Sequence, residues 1–240
     1  MKNKIYSAFH FDFIEKIILN KRIEMKNKIE ENINFDSIDS VCDVGTTEDL
    51  SNKSSNFLIK CFAYIKIKNS ITDQLIVDEF FDNKIQASIT SELKTEDIAK
   101  LKSDILFSSA TIEHVGCKEN QKKMVENMIE LSNKYIIITT PNRYHPIEFH
   151  TKLPLLHYFP KAFHRILLKL IGYSYFAQEK NLNLLSYADF NDILKTFTNI
   201  DFKIIKIKLL GFTSNLIAIC QKKIKLKPFQ FFFYHNFYKL

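Results

Sequence analysis

The feature that most constrains this chain is a pair of apolar runs near its C-terminal end, Phe202 to Leu209 and Leu216 to Cys220. Little more than Gly211-Phe212-Thr213-Ser214-Asn215 separates them. A connection this short cannot carry a crossover helix, so the two strands must pair antiparallel. Upstream the pattern is different. Strand-like runs at Val41 to Gly45, Ile71 to Val77, Ile85 to Ile89, Asp104 to Phe107 and Tyr135 to Thr139 mostly alternate with helical patterns. These helices are expected over Ser54 to Ile65, Lys118 to Leu131 and Tyr187 to Phe197. Alternation of this kind implies βαβ units and a parallel sheet covered by helices on both faces. The expected architecture is α/β, a Rossmann-like doubly wound and mostly parallel seven-stranded sheet whose last strand runs antiparallel.

Two segments stand outside the alternation. Residues 1–36 read as a helical lead-in, with Phe9, Phe13, Ile17 and Ile18 at helical intervals. Between the fifth and sixth strands, residues 144–180 read as an inserted helical cap. In it Phe163, Ile166, Leu167, Leu170 and Ile171 oppose Lys161, Arg165 and Lys169. A basic amphipathic helix of this kind either covers a pocket, packs on the sheet edge or lies on a membrane. The main domain is then 37–221, and 222–240 is a tail in which Lys222, Lys223, Lys225 and Lys227 precede seven aromatic residues. That tail suits an anionic lipid surface.

At 240 residues the chain fits one large domain, and its 46% hydrophobic content is that of a folded protein. The net charge of +7 speaks to association rather than to fold. Cys42, Cys61, Cys117 and Cys220 are widely spaced and form no zinc motif, so reduced thiols in a cytoplasm are expected. Asp12, Glu15 and Lys16 interrupt the first apolar stretch, which therefore does not read as a signal peptide. No run reaches the roughly eighteen apolar residues of a membrane span. The expected location is cytoplasmic, with peripheral contact at the inner membrane face through the tail and cap helix.

In an open α/β sheet, ligands sit beyond the carboxyl ends of the strands. The first strand ends in Asp43-Val44-Gly45-Thr46, where a glycine admits close backbone approach and a carboxylate can receive donors from a ligand. The second is expected to end near Asp78, 33 positions after Gly45 (78 − 45), with Glu79 as its alternative. An acid there can accept ribose hydroxyls, but the spacing exceeds the roughly twenty of the dinucleotide fingerprint and further glycines are missing. A nicotinamide cofactor is thereby disfavoured.

The fourth strand runs into Ser108-Ser109-Ala110-Thr111-Ile112-Glu113-His114-Val115, and the fifth into Thr140-Pro141-Asn142-Arg143 and on to His150. These segments, together with Asn181-Leu182-Asn183-Leu184-Leu185, resemble the type 11 branch of the class I S-adenosylmethionine-dependent methyltransferases. The resemblance implies S-adenosylmethionine as cofactor. It assigns Asp43, Gly45 and Thr46 to the methionine and ribose side, Asp78 to the ribose hydroxyls, and Ser108 and Ser109 to the methionine end. The first motif keeps only one glycine of the family pattern.

Methyl transfer requires alignment, plus a base when the acceptor is an alcohol. Glu113, His114, His145 and His150 are the candidates. Asn142 and Arg143 suit an anionic or sugar-like acceptor. Glu148 and His150 have the look of two metal ligands, but no third is evident, so no metal is expected. The expected activity is methyl transfer to a small-molecule, glycan or lipid-linked acceptor. The alternative is a non-catalytic module of the same fold acting as a membrane-surface or partner-binding scaffold. Nucleic-acid methylation ranks last, since no NPPY-type motif and no organised basic groove is present.

Overall fold

The computed structural model describes residues 12–48, 55–77 and 79–223. Residues 224–240 of the expected tail at 222–240, residues 1–11 of the lead-in and the candidate Asp78 lie outside the described residues. Seven strands form one sheet: β1 (Ser40–Val44), β2 (Ile67–Thr72), β3 (Asn83–Gln86), β4 (Ser103–Ser109), β5 (Ser132–Pro141), β6 (Ile200–Leu209) and β7 (Phe212–Lys222). Their order is β3-β2-β1-β4-β5-β7-β6. The pairs β1 with β2, β1 with β4, β2 with β3 and β4 with β5 are parallel, whereas β7 is antiparallel to both β5 and β6. The short connection at Gly211 therefore makes the hairpin expected of it, and the order reverses between β1 and β4.

Alternation along the strands creates two cores. Cys42, Leu106, Ile136 and Ala218 face one side, together with Met124 and Met128 of α4 (Lys118–Leu131) and Phe190 and Ile193 of α6 (Tyr187–Leu194). Their sequence neighbours Val41, Ile105, Ile137 and Ile217 face the other side, against Met25 and Ile29 of α1 (Asp12–Glu30) and Leu58 and Ile59 of α2 (Phe57–Cys61). Because side chains on a strand alternate with period two, burial on both faces demands the continuous apolar runs seen in β4 and β5. Cys42 and Cys220 are buried in the first of these cores as free thiols.

Two strands differ from expectation. β2 covers Ile67–Thr72 rather than Ile71 to Val77, and β3 covers Asn83–Gln86 rather than Ile85 to Ile89. The cause is polar side chains buried in β2. Asn69 donates to Ser103 Oγ at 3.0 Å and accepts from Asn83 at 2.9 Å, and Ser70 donates to Thr46 Oγ1 at 2.8 Å. Satisfied in this way, a strand can be buried without looking apolar. A further helix, α3 (Thr95–Leu101), precedes β4. It was not legible because Leu101 is its only buried side chain.

The insertion after β5 contains α5 (Lys161–Leu170) and a small core of its own, Leu168, Phe176, Leu182 and Leu184. Among the described residues no helix is long and apolar enough to cross a membrane.

Candidate functional site

The carboxyl ends of β1, β2 and β4 open into a cavity of about 390 Å³. This lies within the roughly 300–1,000 Å³ of small-molecule sites. Gly45 and Thr47 line it after β1, Ile71 to Gln74 at the end of β2, Ser88 to Thr90 after β3, and Ala110, Thr111, His114 and Val115 after β4. Tyr175, Lys180 and Asn181 of the insertion complete the wall.

Gly45 has φ +86°, and a Cβ placed there would lie 2.3 Å from Thr111 Oγ1. The glycine thus makes room for the Thr111 side chain, whose hydroxyl donates to the Val44 carbonyl at 3.2 Å. Ala110 beside it sits at φ +54°, a left-handed conformation unusual for alanine. Asp43 lies beneath the loop, 5% exposed, and accepts a 2.6 Å hydrogen bond from Thr46 Oγ1. Burial pushes its carboxyl up to about 6, against the lowering effect of the Thr46 hydrogen bond. Among the described residues no cation is paired with it. A buried carboxylate shifted in this way, next to an open cavity, is a frequent mark of a binding site.

Of the cofactor candidates, then, Gly45 lines the cavity and Asp43 and Thr46 lie below it. Ser108 is fully buried and its hydroxyl has no partner, while Ser109 accepts from Thr139 Oγ1 at 3.3 Å. β2 ends at Thr72, and among the described residues the acid that lines the cavity is Asp73. It is 28 positions after Gly45 (73 − 45), and sequence reading missed it by setting the strand a few residues too late.

On the far wall the ends of β4 and β5 meet. Glu113 and His114 lie in a single 3-10 turn, Ile112–His114. His114 Nδ1 is 2.7 Å from the Asn181 carbonyl oxygen, so that nitrogen is a donor, and in the neutral ring Nε2 carries the lone pair. His114 Nε2 lies 3.0 Å from His150 Nε2. His150 Nδ1 lies 2.6 Å from Glu148 Oε1. The second Glu148 oxygen accepts from the Thr151 amide and hydroxyl, at 2.6 and 2.7 Å. Burial opposes ionisation of Glu148, but the hydrogen bond and charge of His150 outweigh it and hold the carboxyl down at about 2. The same contact raises His150 above its ordinary value despite burial. Glu113 is wholly buried, with Oε2 accepting from Thr140 Oγ1 at 2.9 Å and Oε1 at 3.9 Å from His150 Nε2.

Three other candidates stand apart from this group. The His145 ring stacks on Phe149 at 4.8 Å, with Nδ1 2.9 Å from the Ile147 carbonyl oxygen. Arg143 spends its guanidinium on the carbonyls of His157 and Phe159, and Asn142 donates to that of Thr213. These contacts hold the insertion together, and none of the three side chains lines the cavity.

No family model and no curated protein matches the chain. Its backbone is nevertheless similar to several solved enzymes. The methyltransferase domain of bacterial CtHen1 superposes with a TM-score of 0.54 at 11% identity, over 85% of this chain and 99% of that one. Magnesium protoporphyrin IX methyltransferase (ChlM) of Synechocystis PCC 6803, with bound S-adenosylhomocysteine (SAH), gives 0.51 at 12% identity over 92% of each chain. The N-methyltransferase NodS of Bradyrhizobium japonicum WM9, also with SAH, gives 0.52 at 7% identity over 84% and 87%. The chain has the class I methyltransferase fold. In this methyltransferase fold the cavity sits where strand order reverses, the general ligand position of doubly wound sheets.

Proposed function

We propose that the chain transfers the methyl group of S-adenosylmethionine to an oxygen, nitrogen or carbon of a small-molecule, glycan or lipid-linked acceptor. The observation that carries this reading is the cavity itself, which runs from the positive-φ Gly45 after β1, past Asp73, to the ring of His114. The residues present fit the cofactor. Asp73 and Gln74 offer acceptors and a donor for ribose hydroxyls, and Ile71 and Ile89 offer apolar walls for a purine. Ser88 and Thr90 add hydroxyls beside them, and Gly45 and Thr47 border the amino acid end. Asp43, Thr46 and Ser108 support that end from beneath.

Bound there, the sulfonium cofactor supplies an electrophilic methyl carbon. The chain's own contribution is to orient the acceptor and to receive its proton. His114 Nε2, with its lone pair fixed by the Nδ1 contact to Asn181, faces His150, and Glu148 neutralises charge that collects there. ChlM is named for a porphyrin acceptor and NodS for N-methylation. Acceptor chemistry therefore varies within this fold, and the cap determines it here.

Calorimetric titration of the full chain with S-adenosylmethionine and with SAH tests the proposal. Saturable binding of both is expected, weakened in Asp73→Asn; heat flow indistinguishable from buffer would refute it.

A second reading has one observation in its favour. Phe159, Phe163, Ile166, Leu170 and Ile171 of the cap are exposed beside Lys161, Arg165 and Lys169. A basic, apolar face of this kind fits a membrane-surface scaffold without catalysis. Co-sedimentation with anionic vesicles, in a protein that binds no cofactor, is the outcome that would favour it.

A further inference from the structure

We infer that Glu113, His114 and His150 form a binding site for one divalent transition-metal ion. His114 Nε2, His150 Nε2 and a carboxylate oxygen of Glu113 all lie within 4.8 Å of one another. Two imidazoles and a carboxylate are the donor set of catalytic zinc sites and of non-haem iron sites, both of which keep open positions for water or substrate.

Three observations point to a cation rather than to a structural knot. The first is Glu113 Oε1, a carboxylate oxygen in a wholly buried side chain with no hydrogen-bond partner. Burying such an atom without a partner is unfavourable, whereas a coordinated cation satisfies it. It lies 3.9 Å from His150 Nε2, so the orphan is aimed into the cluster.

The second is the support behind each ligand. Metal-bound histidines characteristically donate their remaining ring N–H to a carboxylate or a carbonyl, which fixes the tautomer and turns the other nitrogen toward the ion. Here Asn181 O takes the Nδ1 of His114 and Glu148 Oε1 takes that of His150. Thr140 holds the second oxygen of Glu113. All three ligands are thus oriented by groups that do not themselves face the cluster.

The third is spacing. Ligand atoms 2.0–2.1 Å from a tetrahedral ion stand about 3.3 Å apart. The observed 3.0 Å between the two Nε2 atoms and 3.9 Å from His150 to Glu113 bracket that value, and the third pair lies within 4.8 Å. Two imidazole nitrogens at 3.0 Å cannot both present lone pairs without repulsion. Either a proton carried by His150 or a metal ion must lie between them; the proton leaves Glu113 Oε1, 3.9 Å away, beyond hydrogen-bond distance, whereas an ion can bind all three groups.

His114 lines the cavity, so the open coordination positions face the space assigned above to cofactor and acceptor. Under that reading, a bound ion would lower the pKa of an acceptor oxygen, as bound zinc does for water, and would take over from His114 Nε2 the task of activating it. The binding site itself does not depend on methyl transfer.

The test uses the full chain, stripped with chelator and free of S-adenosylmethionine, titrated calorimetrically with Zn²⁺ and Mn²⁺. Uptake of one ion per chain is expected. His114→Ala and His150→Ala, checked for folding by circular dichroism, should lose it, and Glu148→Gln should weaken it about 10- to 100-fold. In unsubstituted protein, Zn²⁺ should shift the Nε2 resonances of His114 and His150 and leave those of His145 in place. No uptake at micromolar zinc, undiminished uptake by a folded His150→Ala chain, or shifts confined to other histidines would each overturn the inference. Cofactor titration of the metal-free chain is a separate readout, so failure of one proposal leaves the other standing on its own result.

Discussion

Replacing Asp43 with asparagine should stabilise the protein at neutral pH while weakening cofactor binding. The carboxyl lies 5% exposed under the first loop, and burial moves it from an ordinary 3.8 up to about 6. That difference corresponds to about 3 kcal/mol of preference for the protonated form in the folded state. A carboxyl raised on folding contributes stability that is fully present below the unfolded value. The contribution is lost as pH climbs through the folded one, so it disappears between about pH 4 and pH 6. Above that window the folded chain carries the penalty of a buried carboxylate, and Asp43→Asn removes it. The gain has an upper bound of about 3 kcal/mol, because the carboxamide brings a smaller desolvation cost of its own. The Thr46 hydroxyl still has an acceptor in the substituted side chain. Urea denaturation of both proteins across about pH 4 to 7 measures this, through the difference between their unfolding free energies. Other groups, including Glu148 with its depressed value, titrate alike in both chains and cancel. The gap should open in favour of Asp43→Asn as pH rises and reach its plateau near pH 7. Parallel curves throughout would show that Asp43 is not held at a penalty and would refute the reasoning. Cofactor affinity should move the other way, since donors from a bound ligand repay the carboxylate and not the amide.

Two further substitutions probe the cavity. Gly45→Ala should destabilise the fold by about 1–3 kcal/mol in chemical denaturation, since the residue holds φ +86° and its new methyl meets Thr111 Oγ1 at 2.3 Å. Adding Thr111→Ala should recover part of the loss, and no recovery would place the strain elsewhere. Asp73→Asn should lower cofactor affinity about 10- to 100-fold by calorimetry, the worth of a charge-assisted hydrogen bond. Glu79→Gln should leave it unchanged, and the reverse ranking would restore the later strand-end acid.

The sheet was legible because its informative parts are local. Gly211 to Asn215 is too short to be anything but a hairpin, and β4 and β5 carry the unbroken apolar runs of strands buried on both faces. β2 was misplaced because Lys68, Asn69 and Ser70 hide a buried strand behind polar residues. Their partners, Thr46, Asn83 and Ser103, are known only once the sheet is assembled. The later strand end drew attention to Asp78 and away from Asp73, which lines the cavity. The histidine pair failed to show for a related reason. His114 and His150 are 36 positions apart, and each taken alone reads as a capping or loop residue. The signal that could have joined them is adjacency: β4 and β5 are neighbours in the sheet, so residues just beyond their ends converge.

The segment Asn181 to Leu185 shows why that convergence holds its shape. The Asn181 carbonyl fixes the ring of His114, and the Asn183 amide donates to the Glu113 carbonyl at 2.7 Å. Asn183 Nδ2 donates to the Gly116 carbonyl at 2.8 Å. Gln121 of α4 donates to the carbonyls of Ile112 and Asn183 together, closing the turn from the other side. Leu185 in turn accepts from the Arg143 amide, which ties the same segment to the end of β5. The exit from the cap is thus the clamp on the turn that carries Glu113 and His114. Any movement of the cap that admitted an acceptor would act on His114 through Asn181 and on Glu113 through Asn183. This makes the orientation of the reactive groups depend on how the cap is closed.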